Sequence, residues 1–420
     1  MKKLVIVLWN ILNILMIIVL IVSIKYYNFL SFISTLIVLG VILLIYILIP
    51  IFFKKSNRRK IRIITNLFIS GLFSIILISL ILKSPGKPQQ FKSSNNQIIE
   101  NSISKWEKVR IGGIDQWLLV KGENKNNPVI LDLAGGFGIS SFFLYPKYYP
   151  QLEKDFTVVY WEQRGSGKSF DENIPQESMT LEQLTKDINE IAIYLKKKFD
   201  EERIILIGHS WGTSIGLLAC KKYPDNFYFF IGAGQIVNYE MNIAARYSQL
   251  LKIAEQNQDN KAIVQIKSLG EPPYEQKDKG WKDILLSNWA DFYSGTAFSK
   301  NWSDIYYWSL LNCSEYTFSE KITVKSKNKL FHVQDEYRKL DFYNSIHDFS
   351  IPIYFVQGEN DLLTVTSVVS EYYNKINSPE KDILIMKNCG HDPQWDYPKE
   401  FHSFLLSKYQ AIEKPNDDYK

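Results

Sequence analysis

The chain of 420 residues is long enough for more than one folding unit, since domains commonly run to about 100 to 200 residues. Its formal net charge of +5 is more than accounted for by one basic stretch, Lys54 to Arg62, so the remainder carries no electrostatic footprint for nucleic acid. Cys220, Cys313 and Cys389 are too few and too scattered for a disulfide framework or a metal cluster, and their odd number leaves at least one free thiol.

Residues 4–24, 29–53 and 63–82 are uncharged apolar runs. Each is long enough to cross a hydrocarbon core of about 30 Å as a helix. The first run exceeds the usual signal-peptide core of about 7 to 15 residues and has no small-residue cleavage site after it, so it predicts an uncleaved helix. Between the second and third runs lie Lys54, Lys55, Arg58, Arg59, Lys60 and Arg62. Such clusters hold a loop in the cytoplasm. Three transmembrane helices, with the lipid bilayer as partner, then place everything after residue 83 outside the cytoplasm.

Residues 84–104 are polar, with Pro85, Gly86 and Pro88, and read as a linker. After them strands and helices alternate. A hairpin is expected to turn at Gly112 and Gly113, followed by the apolar strands "PVILDL", "FTVVYW", "RIILIG" and "FYFFIGAG". Thr180 and Gln183 form a capping-box pattern ahead of Leu184, Ile188, Ile191 and Leu195 at helical spacing. This alternation predicts an α/β domain with a mostly parallel sheet covered on both faces. The rhythm breaks between about 239 and 347, an aromatic-rich stretch read as an inserted helical cap. It resumes with "IPIYFVQGEND", a helix near 365–376, "DILIMKNCGHD" and a last helix from Pro398.

Within "RIILIGHSWGTSIGLLAC" a glycine-flanked serine stands between a buried-type strand and a small-residue helix, the setting of a nucleophile elbow. Ser210 is the candidate nucleophile. It needs a histidine to take its proton and an acid to orient that histidine. Of the five histidines, His391 in "NCGHDPQW" follows the last predicted strand, and Asp361 in "VQGENDLLT" is the matching acid, with Glu359 as local competitor. His209 is expected to point elsewhere, His402 to take a solvated or packing role inside the last helix, and His332 and His347 to pack in the cap. The chain order Ser, Asp, His is that of the α/β hydrolases.

Two glycine clusters remain. "AGGFG", residues 134–138, lacks the third glycine of a dinucleotide fingerprint and reads as a loop giving an oxyanion-hole N–H from Gly136, paired with that of Trp211. "GSGKS", residues 165–169, has Glu162 where a phosphate loop needs its first glycine, so no nucleotide partner is expected.

From about residue 105 to 412 the chain resembles α/β hydrolases of the proline iminopeptidase type. The motifs are "GGFG" against that family's His-Gly-Gly-Pro-Gly, "WEQRGSGKS" against Asp-Gln-Arg-Gly-x-Gly-x-Ser, and "GHSWG" against Gly-Gly-Ser-Trp-Gly. The resemblance implies an eight-stranded hydrolase core with a helical cap, Ser210, Asp361 and His391 as a triad, and hydrolysis without cofactor or metal. Ala134 and Phe137 depart from the oxyanion motif, and Trp161 and Glu162 stand where an aspartate is usual. The implied substrate is a peptide N-terminus, whose ammonium group calls for a cap carboxylate; Glu240, Glu255, Glu315 and Glu320 are the candidates. An esterase or lipase acting on acyl chains is the alternative, and a non-catalytic binding protein a more distant one.

Overall fold

The computed structural model describes residues 84–294 and 301–413. The three apolar runs expected to span a membrane, the basic loop at 54–62 and the chain beyond 413 lie outside the described residues. Among those described, no helix is long and apolar enough to cross a membrane. Residues 303–313, most of the helix Trp302–Asn312, belong to a second compact unit, and the rest of the described chain from Gly86 belongs to the first.

Eight strands form one sheet in the order β1-β2-β4-β3-β5-β6-β7-β8. β1 (Ile103–Ile111) and β2 (Ile114–Gly122) form the hairpin expected at Gly112 and Gly113. Both glycines have positive φ, 54° and 79°, as a two-residue hairpin turn requires. β2 also runs antiparallel to β4 (Thr157–Glu162). From β4 onward every pairing is parallel, through β3 (Val129–Leu133), β5 (Ile204–His209), β6 (Phe227–Ala233), β7 (Ile353–Gly358) and β8 (Lys381–Met386). Such strands are buried on both faces, which explains why β3, β4 and β7 are buried throughout.

The register sets the site. Leu133 pairs with Gly208, His209 with Ala233, and Ala233 with Val356, so the carboxyl ends of β3, β5, β6 and β7 meet at one edge. The loops that leave β3, β5 and β7 carry the "AGGFG" cluster, Ser210 and Asp361, and those after β4 and β8 carry "WEQRGSGKS" and His391. In open parallel sheets this edge is where ligands bind.

Helix Leu181–Phe199 starts where the capping pattern places it, with the Thr180 side chain accepting from the Gln183 N–H at 3.1 Å. Its Asp187 holds the fully buried Arg164 through two 2.8 Å bonds, and Arg164 donates in turn to the Gly112 carbonyl. One buried ion pair thus ties the β4 loop to the hairpin turn. Between β6 and β7 the chain builds the cap, whose helices Tyr239–Gln256, Asn260–Ser268 and Gln276–Tyr293 enclose their own core around Ile243, Leu250, Ile266 and Leu286.

Much of the stretch 84–104, read as a linker, is fastened to this unit. The Lys87 N–H donates to the Ser314 carbonyl at 2.9 Å, and the Ser104 hydroxyl donates to the Gln89 carbonyl at 2.6 Å. Lys92 and Ile98 pair as an isolated bridge. Polarity and prolines describe a chain without a core of its own. They do not exclude a strap along a larger one.

Candidate active site

Ser210 occupies the turn between β5 and the helix Trp211–Lys222 with φ 49° and ψ −117°. A non-glycine residue there is strained by about 1 to 3 kcal/mol, which the surroundings must offset. They do so by close approach. A Cβ on Gly212 would lie 2.0 Å from the Leu133 carbonyl oxygen, and one on Gly208 would lie 2.7 Å from that of Gly212. The two flanking glycines are therefore steric requirements of the turn.

Asp361 lies just past β7, buried, in a full set of hydrogen bonds. One carboxylate oxygen accepts from the backbone N–H groups of Leu363 and Thr364, both at 2.8 Å. The other accepts from Gln357 Nε2, the Thr364 hydroxyl and His391 Nδ1 at 2.8, 2.7 and 2.9 Å. Burial raises its pKa, but the charge and hydrogen bond of His391 and the bonds from Thr364 outweigh that and hold it below the ordinary carboxylate value. Glu359 instead accepts from the Asn388 N–H at the surface.

Burial lowers the pKa of His391, while Asp361 foremost, then Asp392 and Asp291, raise it to a net value of about 9. Its ring rests against Gly234, where a Cβ would fall 3.0 Å from Cε1. The Ser210 N–H donates to Ala233 at 2.9 Å. Ser210 and His391 therefore flank the Ala233–Gly234 peptide.

The loop Ala134–Gly138 abuts the elbow: a Cβ on Gly135 would lie 3.2 Å from that of Ser210. Gly136 and Phe137 are both left-handed, at φ 55° and 49°. Phe137 packs its ring on Trp211 at 4.7 Å and on Tyr337 at 5.3 Å. Gln163 joins loop and elbow, donating to the Ala134 carbonyl at 3.1 Å and accepting from Trp211 Nε1 at 3.0 Å. Sequence reasoning missed Gln163, although it stands inside "WEQRGSGKS". Its neighbour Glu162 is buried between Ser140 and Tyr316, and burial raises its pKa against those hydrogen bonds.

The other histidines divide. His402 bonds Asp155 and Tyr149, and His347 donates to the Tyr343 carbonyl. His209, expected to point away, lies instead with its ring centroid 5.1 Å from that of His391. The turn at Ser210 reverses the chain, so the residue before it faces the loop that carries His391.

The four cap glutamates weighed for an ammonium group already have lysines: Glu240 meets Lys279, Glu255 Lys267, Glu315 Lys121 and Glu320 Lys168. The cap acid coupled to His391 and Asp361 is Asp291, near the end of helix Gln276–Tyr293. Its side chain is exposed to solvent, and the protein on its other side raises its pKa by partial burial. Nothing in sequence spacing marks Asp291, because the fold of the cap brings it there.

The chain matches the serine aminopeptidase, S33, family over residues 148–396, more than half its length. It is similar to a probable aminopeptidase, YbaC, of Bacillus subtilis (strain 168), at 27% identity over 313 residues, 73% of this chain and 96% of the other. It is 23% identical to a proline iminopeptidase of Thermoplasma volcanium over 311 residues, again 73% of this chain and 96% of that one. Among solved structures it is similar to a proline iminopeptidase-related protein of Thermus thermophilus, with 18% identity, a TM-score of 0.46, and coverage of 74% and 98% of the two chains. With the eight-stranded, mostly parallel sheet and the elbow at its carboxyl edge, the family match over more than half of the chain makes it an α/β-hydrolase enzyme that belongs to the serine aminopeptidase S33 family.

Proposed function

We propose that the protein is a membrane-anchored serine aminopeptidase that releases N-terminal residues from peptides. Ser210 Oγ attacks the scissile carbonyl as His391 Nε2 takes its proton, with Asp361 fixing the imidazole through Nδ1. The N–H groups of Gly136 and Trp211 receive the developing oxyanion. His391 then returns its proton to the leaving amine, and water, deprotonated by the same histidine, cleaves the acyl-enzyme to free Ser210. This acyl transfer draws on no cofactor.

The observation that carries the hydrolase chemistry is the Asp361–His391 hydrogen bond beside the strained Ser210 turn, and Asp291 on the cap is the acid offered for the substrate ammonium. A substrate ammonium desolvated beside Ser210 is costly without such a partner. The names of the similar proteins, aminopeptidase and proline iminopeptidase, support the same class. The aromatic rings of Phe137, Trp211 and Tyr337 suit an apolar or proline-like first residue.

The test compares proline and alanine arylamides with their N-acetylated forms and with medium-chain acyl esters. Ser210→Ala is expected to abolish fluorophosphonate labelling. Asp291→Asn is expected to raise KM for free-amine substrates about tenfold or more, the loss of one desolvated charge pair, and to leave acetylated ones unchanged. Faster turnover of acyl esters, indifferent to Asp291, would replace this reading with the esterase or lipase one.

A further inference from the structure

His209 Nε2 lies 3.0 Å from the carbonyl oxygen of His391 and 3.4 Å from Asp392 Oδ1. On the opposite side of the ring, Nδ1 faces Gly135 so closely that a Cβ there would fall 3.1 Å from it. Trp395 closes the edge at a centroid distance of 5.2 Å. One side chain, immediately before the nucleophile in sequence, thus touches both the loop that carries the base and the loop that carries the oxyanion donor.

We propose that His209 is a positioning residue that locks the His391 loop onto the elbow through an Nε2–H donated to the His391 carbonyl. The proposal rests on the reading of Ser210 as nucleophile and His391 as base.

The proton can be assigned. Burial foremost, and the charge of His391 next, push the His209 pKa down to about 3, so the ring is neutral and has a single N–H. A carbonyl oxygen can only accept, which puts that proton on Nε2 and leaves Nδ1 bare toward Gly135. Breaking the bond leaves a backbone carbonyl beside the base without its donor and frees the loop after β8 to move against the elbow. Displacement of a reacting group by about 1 Å can cost about a hundredfold in rate.

Two measurements on the full-length protein test this. With its five histidines labelled by 15N, one neutral ring is expected to keep its proton on Nε2 from about pH 5 to 9, and His209→Gln to remove that signal. A protonated Nδ1 or an imidazolium at this residue overturns the proposal, whether or not any variant folds. In kinetics, His209→Phe keeps a ring without a donor and is expected to slow fluorophosphonate labelling and kcat by about tenfold to a hundredfold with KM unchanged. His209→Gln, whose amide retains an N–H, is expected to recover most of that loss. Labelling of His209→Phe at the wild-type rate, or equal losses in both variants, overturns the proposal. Failure of the underlying reading looks different: Ser210→Ala would still label while the tautomer stayed as assigned.

Discussion

Asp361 and His391 are a buried, hydrogen-bonded pair, and their surroundings set a pH dependence. Five donors converge on the two oxygens of Asp361, so the carboxylate is charged before the imidazolium forms and holds the ring by Nδ1. Asp361→Asn would replace the acceptor facing Nδ1 with an amide that favours the wrong tautomer, and a loss of about 10⁴ in kcat is the expected scale. As the proposed base His391 must be neutral, and its raised pKa of about 9 lies above the ordinary histidine range. kcat/KM is therefore expected to climb with pH through neutrality toward about 9. Of the acids that raise the His391 pKa, Asp361, Asp392 and Asp291, only the first hydrogen-bonds the imidazole, so Asp392 can be varied without removing that bond. Burial raises the pKa of Asp392 to about 7, so its charge acts on His391 only above that pH. Asp392→Asn should lower the His391 pKa and move the acid limb to lower pH. An unmoved limb would show that Asp361 alone sets it. The sign for stability is the reverse: the protonated ring stabilises the fold fully below about 6.5, and this is lost as pH rises through about 9.

At the scale of elements, the elbow shows why part of the site is legible in the sequence. Its requirements are local: an apolar strand, glycines two residues either side of Ser210, and a helix of small residues against the sheet. The contact of Gly212 with the Leu133 carbonyl is backbone against backbone and cannot be relieved by a rotamer change. Gly212→Ala is expected to cost about 3 kcal/mol, the upper end for overpacking, read as a lowered urea midpoint together with weaker labelling. Gly113→Ala has open space around the new methyl and should show only the smaller cost of positive φ. The hairpin turn and the Thr180 cap are legible for the same reason, since each is decided within a few residues. What spacing could not reveal was decided between distant segments. Each of the four candidate cap glutamates has a lysine from another element, and the place of Asp291 is set by a core that three cap helices share. Gln163 bridges two loops whose distance is fixed by strand order, and His209 turns inward because of the backbone reversal at Ser210. The pinned course of residues 87–104 belongs with these, a polar segment whose partners lie on β1 and in the cap.

At the scale of the whole molecule, the proposal of an anchored enzyme outside the cytoplasm rests on the apolar runs and the basic loop of the first 83 residues. The described part supplies the means to test it. Cys220, Cys313 and Cys389 are all buried, so a membrane-impermeant maleimide should leave the parent chain nearly unlabelled and report only a cysteine introduced for the purpose. Gln97 is exposed in the strap and Ser56 stands in the basic loop, which makes Gln97→Cys and Ser56→Cys a matched pair. With that loop inside and an odd number of crossings, Gln97→Cys is expected to react in intact cells and Ser56→Cys only after lysis. Because the strap is hydrogen-bonded to the body, external protease is a poorer probe of orientation than a single thiol. A full-length chain that resists extraction by alkaline carbonate, beside a fragment from residue 84 that stays soluble and still labels with fluorophosphonate, would separate anchoring from catalysis. Reaction of Ser56→Cys in intact cells with Gln97→Cys protected would invert the orientation. Release of the full-length chain by carbonate would remove the anchor altogether, while the chemistry at the carboxyl edge of the sheet would stand unchanged.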